Sequence, residues 1–182
     1  MKQKKIQGFT LLELLIVVAI IGILASIVLV ALSSAQDSAY ESRAKGELRA
    51  LQSAVQLYFL DNDSYPEDGE WDFPASMEEY LPSGDEIEGA WPGSIYTWES
   101  WSPSDLSHAP YEHVYQISIR FCPQGGSLDD CSFPVADWAD NFDQNSAFFY
   151  CIDGPCRSHK DEPMTHPGFC MNCSEEEPPY GF

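Results

Sequence analysis

The sequence has little positive charge. It contains 9 Lys and Arg against 29 Asp and Glu, which gives a net charge of -20. Three of those basic residues, Lys2, Lys4 and Lys5, fall within the first eight positions, so the rest of the chain is still more acidic. An acidic surface repels the phosphate backbone of DNA and RNA. Nucleic-acid binding by the body of the protein is therefore not expected.

Cysteine is missing from the first 121 residues, and six cysteines follow in the more polar part of the chain. An even number of cysteines, in a chain that begins with a membrane signal, predicts a disulfide framework in an oxidising compartment. Their spacing does not select one pairing. The candidates are Cys122, Cys131, Cys151, Cys156, Cys170 and Cys173.

Charge is missing from Leu14 to Ala35, and proline is missing before Pro66. A run of 22 uncharged, mostly apolar residues is long enough for a membrane-spanning helix, which needs about 20. The lysines ahead of the run are expected to stay on the cytoplasmic side, so the C-terminal side is directed outward. The first residues therefore predict a single-pass anchor.

The helix is predicted to continue beyond the membrane, because the apolar residues after Gln36 recur at helical spacing. Asp61 to Pro66 then end it, since Asn, Asp and Ser favour turns and Pro66 excludes a helical conformation at Tyr65. One helix of about 50 residues is expected. Its second half presents an apolar stripe made of Ala44, Leu48, Leu51, Val55 and Tyr58.

Strands are predicted later in the chain. Apolar and polar residues alternate from Tyr115 to Phe121, which is typical of a half-buried strand with its polar side in solvent. Ser146–Ile152 is a denser apolar run, Ser94–Trp98 is a weaker strand candidate, and a short helix is expected near Ser76–Leu81. The predicted fold class is α+β: a long N-terminal helix packs its amphipathic half on a small antiparallel sheet with disulfide-held loops.

The most informative motif runs from Lys4 to Leu14. It combines a short basic leader, Gly8, the aromatic Phe9 and a single acid, Glu13, at the start of the apolar run. An ionisable side chain within a membrane segment costs a few kcal/mol and therefore indicates a function and a partner. These residues resemble the N-terminus of type IV pilins and type II secretion pseudopilins. The resemblance extends to about Leu60 and, more weakly, through Leu57–Pro66.

The resemblance implies processing and assembly. A prepilin peptidase would cleave between Gly8 and Phe9 and methylate the new amine, and Glu13 would pair with the N-terminus of a neighbouring subunit. The implied organisation is a leader (1–8), a transmembrane and filament-core helix (9–35), its amphipathic continuation (36–62) and a head (63–182). The best-known pilins carry a proline in the middle of the apolar helix, and this chain has none there.

The expected function is structural: a subunit of an extracytoplasmic pilus-like filament, held in the inner membrane before assembly. Its expected partners are identical subunits, the prepilin peptidase and the assembly machinery. A periplasmic pseudopilin of type II secretion is one alternative, and a membrane-tethered domain that binds glycans or surfaces is another. No nucleophile elbow, phosphate-binding loop or zinc-protease motif is present, so catalysis is not predicted.

Several weaker signals leave other interpretations open. Small residues before Gln36 suit a conventional signal peptidase, which would cleave after Ala35, although the apolar run is long for such a signal. The five tryptophans are expected in the core, with sugar stacking as the alternative. No cofactor or metal is expected. Calcium at Asp137, Asp140, Asp143 and Asn145, and zinc at Cys151, Cys156, Cys170 and Cys173, are the competing hypotheses.

Overall fold

The computed structural model describes residues 9–81, 87–104, 113–154, 156–157 and 166–173. The chain divides into two compact units, Met1–Ser38 and Ala39–Phe182, called here the N-terminal unit and the head unit. A single helix, α1 (Leu11–Asn62), contributes residues to both. Its 52 residues confirm the predicted length, and it contains no proline.

Helix α1 ends where the turn-forming residues predict. Asp63 adopts a left-handed conformation with φ of 54°. Its backbone N–H donates to the carbonyl of Phe59 at 2.9 Å, the bond of a left-handed C-terminal cap. Asp is one of the few residues other than Gly that accept this conformation readily. The chain then leaves the helix toward the buried Pro66.

The head unit contains one four-stranded sheet, with strands β1 (Ile95–Trp101), β2 (Val114–Arg120), β3 (Ala147–Asp153) and β4 (Gly168–Cys170) in that order. The pairs β1–β2 and β2–β3 are antiparallel, and β4 joins the edge of β3 in parallel. The three longer strands confirm the predicted ones. Short 3₁₀ turns occur at Ala75–Met77, Leu128–Asp130 and Asp137–Ala139. The first overlaps the start of Ser76–Leu81, where a short helix was expected.

The apolar stripe of α1 forms one side of the head's core. Ala44, Leu48 and Val55 are fully buried, and Leu51 is nearly so. They belong to one cluster with buried side chains of all three longer strands, including Trp98, Ile117 and Phe148. The fold is therefore α+β, as predicted, with its core between α1 and the sheet. Trp91, Trp98 and Trp101 are buried, which agrees with a core role for these three, whereas Trp71 and Trp138 are partly exposed.

The polar side of β2 differs from the prediction. Gln116 and Ser118 are fully buried and Arg120 is nearly so, although the alternation of the sequence had placed them in solvent. Two long-range partners explain this. Gln116 exchanges two hydrogen bonds with the backbone of Arg157, at 2.6 and 2.8 Å, and Arg120 pairs with the buried Glu99 on β1. Neither partner is visible in the local pattern of β2.

Candidate functional site

The described part of the N-terminal unit is an apolar helix. Leu11–Val28 has a mean hydropathy of 2.9 and no buried residue, and it is long and apolar enough to cross a membrane by length and composition. The five consecutive side chains from Leu14 to Val18 are each between 45% and 65% exposed. Since successive helical residues point about 100° apart, these five cover every face of the helix. Such a surface requires lipid or other apolar helices around it.

The hydroxyl of Ser26 is satisfied within the helix. Ser26 Oγ donates to the carbonyl oxygen of Ile23 at 2.8 Å, so its hydroxyl needs no water. A methyl group added at Gly22 would meet no atom within 4 Å. The helix therefore continues through Gly22 without a local contact that requires glycine.

The start of α1 is a reciprocal capping arrangement between Thr10 and Glu13. The Glu13 carboxylate accepts from the backbone N–H of Thr10 at 2.9 Å and from its hydroxyl at 2.8 Å. In return, the backbone N–H of Glu13 donates to Thr10 Oγ1 at 3.3 Å. This capping box satisfies two backbone donors that a helix start leaves open, and it fixes the direction of the carboxylate. An anion in the first turn also interacts favourably with the helix dipole.

The predicted processing and assembly residues lie at this same end of the chain. Phe9 is 77% exposed, and Glu13 is exposed beside it. Gly8 and the lysines of the leader lie outside the described residues. Thr10 was missed by the sequence analysis, although Thr-Leu-Leu-Glu is a readable capping-box pattern. In the single chain, Thr10 is the partner of the Glu13 carboxylate that the structure records.

All six cysteines are paired. The disulfides join Cys122 to Cys131, Cys151 to Cys156, and Cys170 to Cys173. Their sequence separations are 9, 5 and 3 residues, so each closes a short loop of the head unit. The last two disulfides are neighbours in space: the sulfur of Cys151 lies 3.4 Å from that of Cys173.

The acidic loop considered for calcium has other partners. Asp143 lies 2.7 Å from Nδ1 of His166 and also accepts hydrogen bonds from Asn145 and Ser146. Asp137 and Asp140 are exposed. Within the described ranges, the one group of His, Cys, Asp or Glu side chains close enough to share a metal ion is Cys151, Cys170 and Cys173.

The comparisons with known proteins match part of the chain. A family model described as the prokaryotic N-terminal methylation motif matches residues 3–29. Type II secretion system core protein G of Pseudomonas aeruginosa is 42% identical over 66 residues, which cover 36% of this chain and 46% of that protein. The protein of the same name from Vibrio cholerae is 45% identical over 65 residues, covering 36% and 44%.

A third relative, core protein G of Escherichia coli, is 44% identical over 62 residues, which cover 34% of this chain and 43% of that protein. The chain thus matches less than half the length of these relatives, and no solved structure matches it. The motif model covers Phe9, Thr10 and Glu13, the residues that form and flank the capped start of α1. By its methylation motif and these relatives, the N-terminal part of the chain is similar to type II secretion pseudopilins, which supports a relation to the pilin and pseudopilin family.

Proposed function

We propose that this protein is a structural subunit of a type IV pilus-like filament. It is processed between Gly8 and Phe9 and polymerises through its N-terminal helix. In this account residues 1–8 are the leader, 9–35 the membrane and filament-core helix, 36–62 the amphipathic part of that helix, and 63–182 the head. Glu13 pairs with the methylated amine of a neighbouring subunit.

The observation that carries the proposal is the helix Leu11–Val28, which is apolar on every face. Near its start, the Glu13 carboxylate accepts two hydrogen bonds from Thr10. A membrane satisfies the apolar surface of a single subunit, but it leaves Glu13 in an unfavourable place. A bundle of the same helices satisfies both. Each helix packs against apolar neighbours, and a staggered amine from another copy approaches the carboxylate that Thr10 orients.

The names of the relatives favour one form of this filament. Core protein G belongs to type II secretion systems, so we infer a periplasmic pseudopilus assembled by secretion machinery of that kind, with a surface pilus as the alternative. The proposed partners are identical subunits, a prepilin peptidase and the assembly machinery. Before assembly the subunit resides in the inner membrane. The contact between subunits repeats without closing, which produces a fibre.

A tethered binding domain is less well supported. That hypothesis depended on tryptophans available to stack on sugars, whereas Trp91, Trp98 and Trp101 are buried in the head. The proposed role of the head is to cover the outside of the fibre. Its acidic surface keeps separate fibres apart through charge repulsion.

Replacement of Glu13 tests assembly directly. Glu13→Ala is expected to reduce the assembled filaments of the cell envelope by roughly tenfold or more, because the register-specific partner of the incoming amine is lost. The variant should still accumulate in the membrane fraction. Glu67→Ala, an exposed acid beyond the helix, is the matched control and should assemble normally. Filaments of Glu13→Ala at the wild-type level would contradict the proposal.

A further inference from the structure

Four cysteines from two distant parts of the chain meet at the edge of the sheet. Cys151 lies on β3 and Cys156 shortly after it, while Cys170 ends β4 and Cys173 follows in the next turn. The sulfur of Cys151 lies 3.7 Å from that of Cys170 and 3.4 Å from that of Cys173. Cys156 is bonded to Cys151 and is itself buried. In this thiol cluster the sulfur atoms of Cys151, Cys170 and Cys173 lie within 4.8 Å of one another, and Cys156 is joined to the cluster through its bond to Cys151.

The contacts between the two pairs resemble those around a metal ion. Four thiolates on a tetrahedral Zn²⁺, each at about 2.3 Å, lie about 3.8 Å from one another. The two contacts between Cys151 and the cysteines of the second pair are close to that separation. Small movements of the side chains would therefore place these three sulfur atoms around one ion, and opening the Cys151–Cys156 bond frees a fourth thiol on the adjoining segment.

The backbone also supports sulfur in its anionic form. The N–H of Cys173 donates to the sulfur of Cys170 at 3.1 Å. A donor aimed at a ligand atom favours the charged form of that atom and orients it toward a metal. The Cys-Met-Asn-Cys turn therefore presents its first sulfur already hydrogen-bonded.

Asn172 holds the two segments together without using sulfur. Its side-chain oxygen accepts from the N–H of Cys151 at 2.7 Å, and its side-chain nitrogen donates to the carbonyl of Cys151 at 2.8 Å. The parallel pairing of β3 with β4, in which Phe149 is opposite Cys170, adds a second tie. These bonds join Cys151 to the segment that carries Cys170 and Cys173, and they do not depend on the disulfides.

The two disulfides do not connect strand β3 with strand β4. Cys151–Cys156 and Cys170–Cys173 span 5 and 3 residues, so neither links β3 to β4 covalently. An ion shared by the cluster would join Cys151 to Cys173, which are 22 residues apart. Closing the longer loop restricts the unfolded chain more than closing either short one.

We propose that the reduced chain binds one Zn²⁺ through the thiolates of Cys151, Cys156, Cys170 and Cys173, as an alternative to the two disulfides. A phosphine reductant opens each disulfide: two electrons and two protons form two thiols, and the phosphine becomes its oxide with oxygen from water. Four thiols then lose four protons to solvent as the ion binds. The ion fastens β4 and its turn to β3.

The test uses the full chain in detergent. The protein is reduced with a phosphine under argon, freed of excess reductant and dialysed against Zn²⁺, and bound metal is counted per chain. One ion is expected in the reduced protein and none in the oxidised protein. Co²⁺ in place of Zn²⁺ should give the intense thiolate charge-transfer absorption and visible bands of a tetrahedral sulfur site.

Two double variants with the same number of thiols separate this site from adventitious thiol binding. Cys170→Ser with Cys173→Ser should abolish stoichiometric binding, whereas Cys122→Ser with Cys131→Ser should retain it. Asn172→Ala keeps all six cysteines and tests the geometry: its zinc affinity should fall by roughly 10- to 100-fold. The proposal is overturned if the reduced wild type binds no zinc, if both double variants behave alike, or if Asn172→Ala leaves the affinity unchanged.

Discussion

Glu99 is the residue around which the buried polar side of the sheet is organised. Its side chain is 2% exposed and that of its ion-pair partner Arg120 is 8% exposed. The carboxylate also accepts from Ser118 Oγ at 2.8 Å and from the side-chain nitrogen of Gln116. Burying a carboxylate is costly unless its charge and lone pairs are matched. The stability of this side therefore depends on keeping every partner in place.

Removing the cation should destabilise the head strongly. Arg120→Met leaves Glu99 buried without its opposite charge, and we expect a loss of roughly 3–5 kcal/mol in the free energy of unfolding. Urea unfolding followed by tryptophan fluorescence measures it. Arg43→Met is the matched control, because the Arg43 side chain is 52% exposed and its pair with Glu47 should contribute under about 1 kcal/mol. Equal losses in the two variants would contradict the inferred role of Arg120.

Tyr96 makes the head less stable as the pH becomes alkaline. Burial, together with the 2.7 Å hydrogen bond from its hydroxyl to Glu47, raises the pKa of Tyr96 above its ordinary value near 10. Between the unfolded and the folded pKa, the folded chain retains a proton that the unfolded chain has lost. Its contribution is therefore complete below about pH 10 and is lost progressively above that pH.

Tyr96→Phe should lower stability at pH 8 by about 1 kcal/mol, since one hydrogen bond is lost. It should also reduce the decrease in the urea midpoint of unfolding between pH 10 and 11, compared with the wild type. Tyr65 and Tyr80, whose pKa values are also raised mainly by burial, preserve part of that fall. An unchanged slope in Tyr96→Phe would show that Tyr96 does not carry the pH dependence.

At the scale of elements, α1 depends on its stripe for contact with the sheet. Leu48 is fully buried, whereas Leu57 on the same helix is 54% exposed. Leu48→Ala should lower the free energy of unfolding of the head by roughly 2–5 kcal/mol, because it leaves a cavity against the sheet. Leu57→Ala should change it by no more than about 0.5 kcal/mol. A small effect at Leu48, seen in the same urea titration, would mean that the helix does not support the core.

Elements with a local signal were predictable from the sequence. The length and stripe of α1 follow from the absence of proline and from helical spacing, and the three longer strands follow from apolar runs. Strand β4 was not predicted, because three residues in a tail rich in Pro and Glu carry no periodicity. Its formation depends on pairing with Ala147–Phe149 some twenty residues earlier.

The candidate sites also differ in whether the local sequence indicates them or only the fold does. Glu13 was identified because the sequence alone shows a charged residue in an apolar run. Thr10 could have been found from its spacing to Glu13. The thiol cluster could be proposed from paired cysteines, but the short distances between the two pairs required the fold. The burial of Glu99 with Arg120 likewise arises from two strands aligned in register.

The whole molecule combines two surfaces with opposite requirements. The helix Leu11–Val28 is apolar and unburied, while the chain as a whole carries a net charge of -20. The proposed fibre would place the first surface inside and the acidic heads outside. It forms only if processing leaves the apolar helix on the mature protein, with a free amine one turn before Glu13. The identity of the mature N-terminus is therefore central to the account.

The most direct test is intact-mass and N-terminal mass spectrometry of the protein purified from the cell envelope. The account predicts a chain that begins at Phe9 with one methyl group on its amine. The protein purified from the membranes of cells lacking the prepilin peptidase should retain Met1–Gly8, and those cells should form no filaments. A mature chain that begins at Gln36 would lack both the apolar helix and Glu13, and would contradict assembly through this segment.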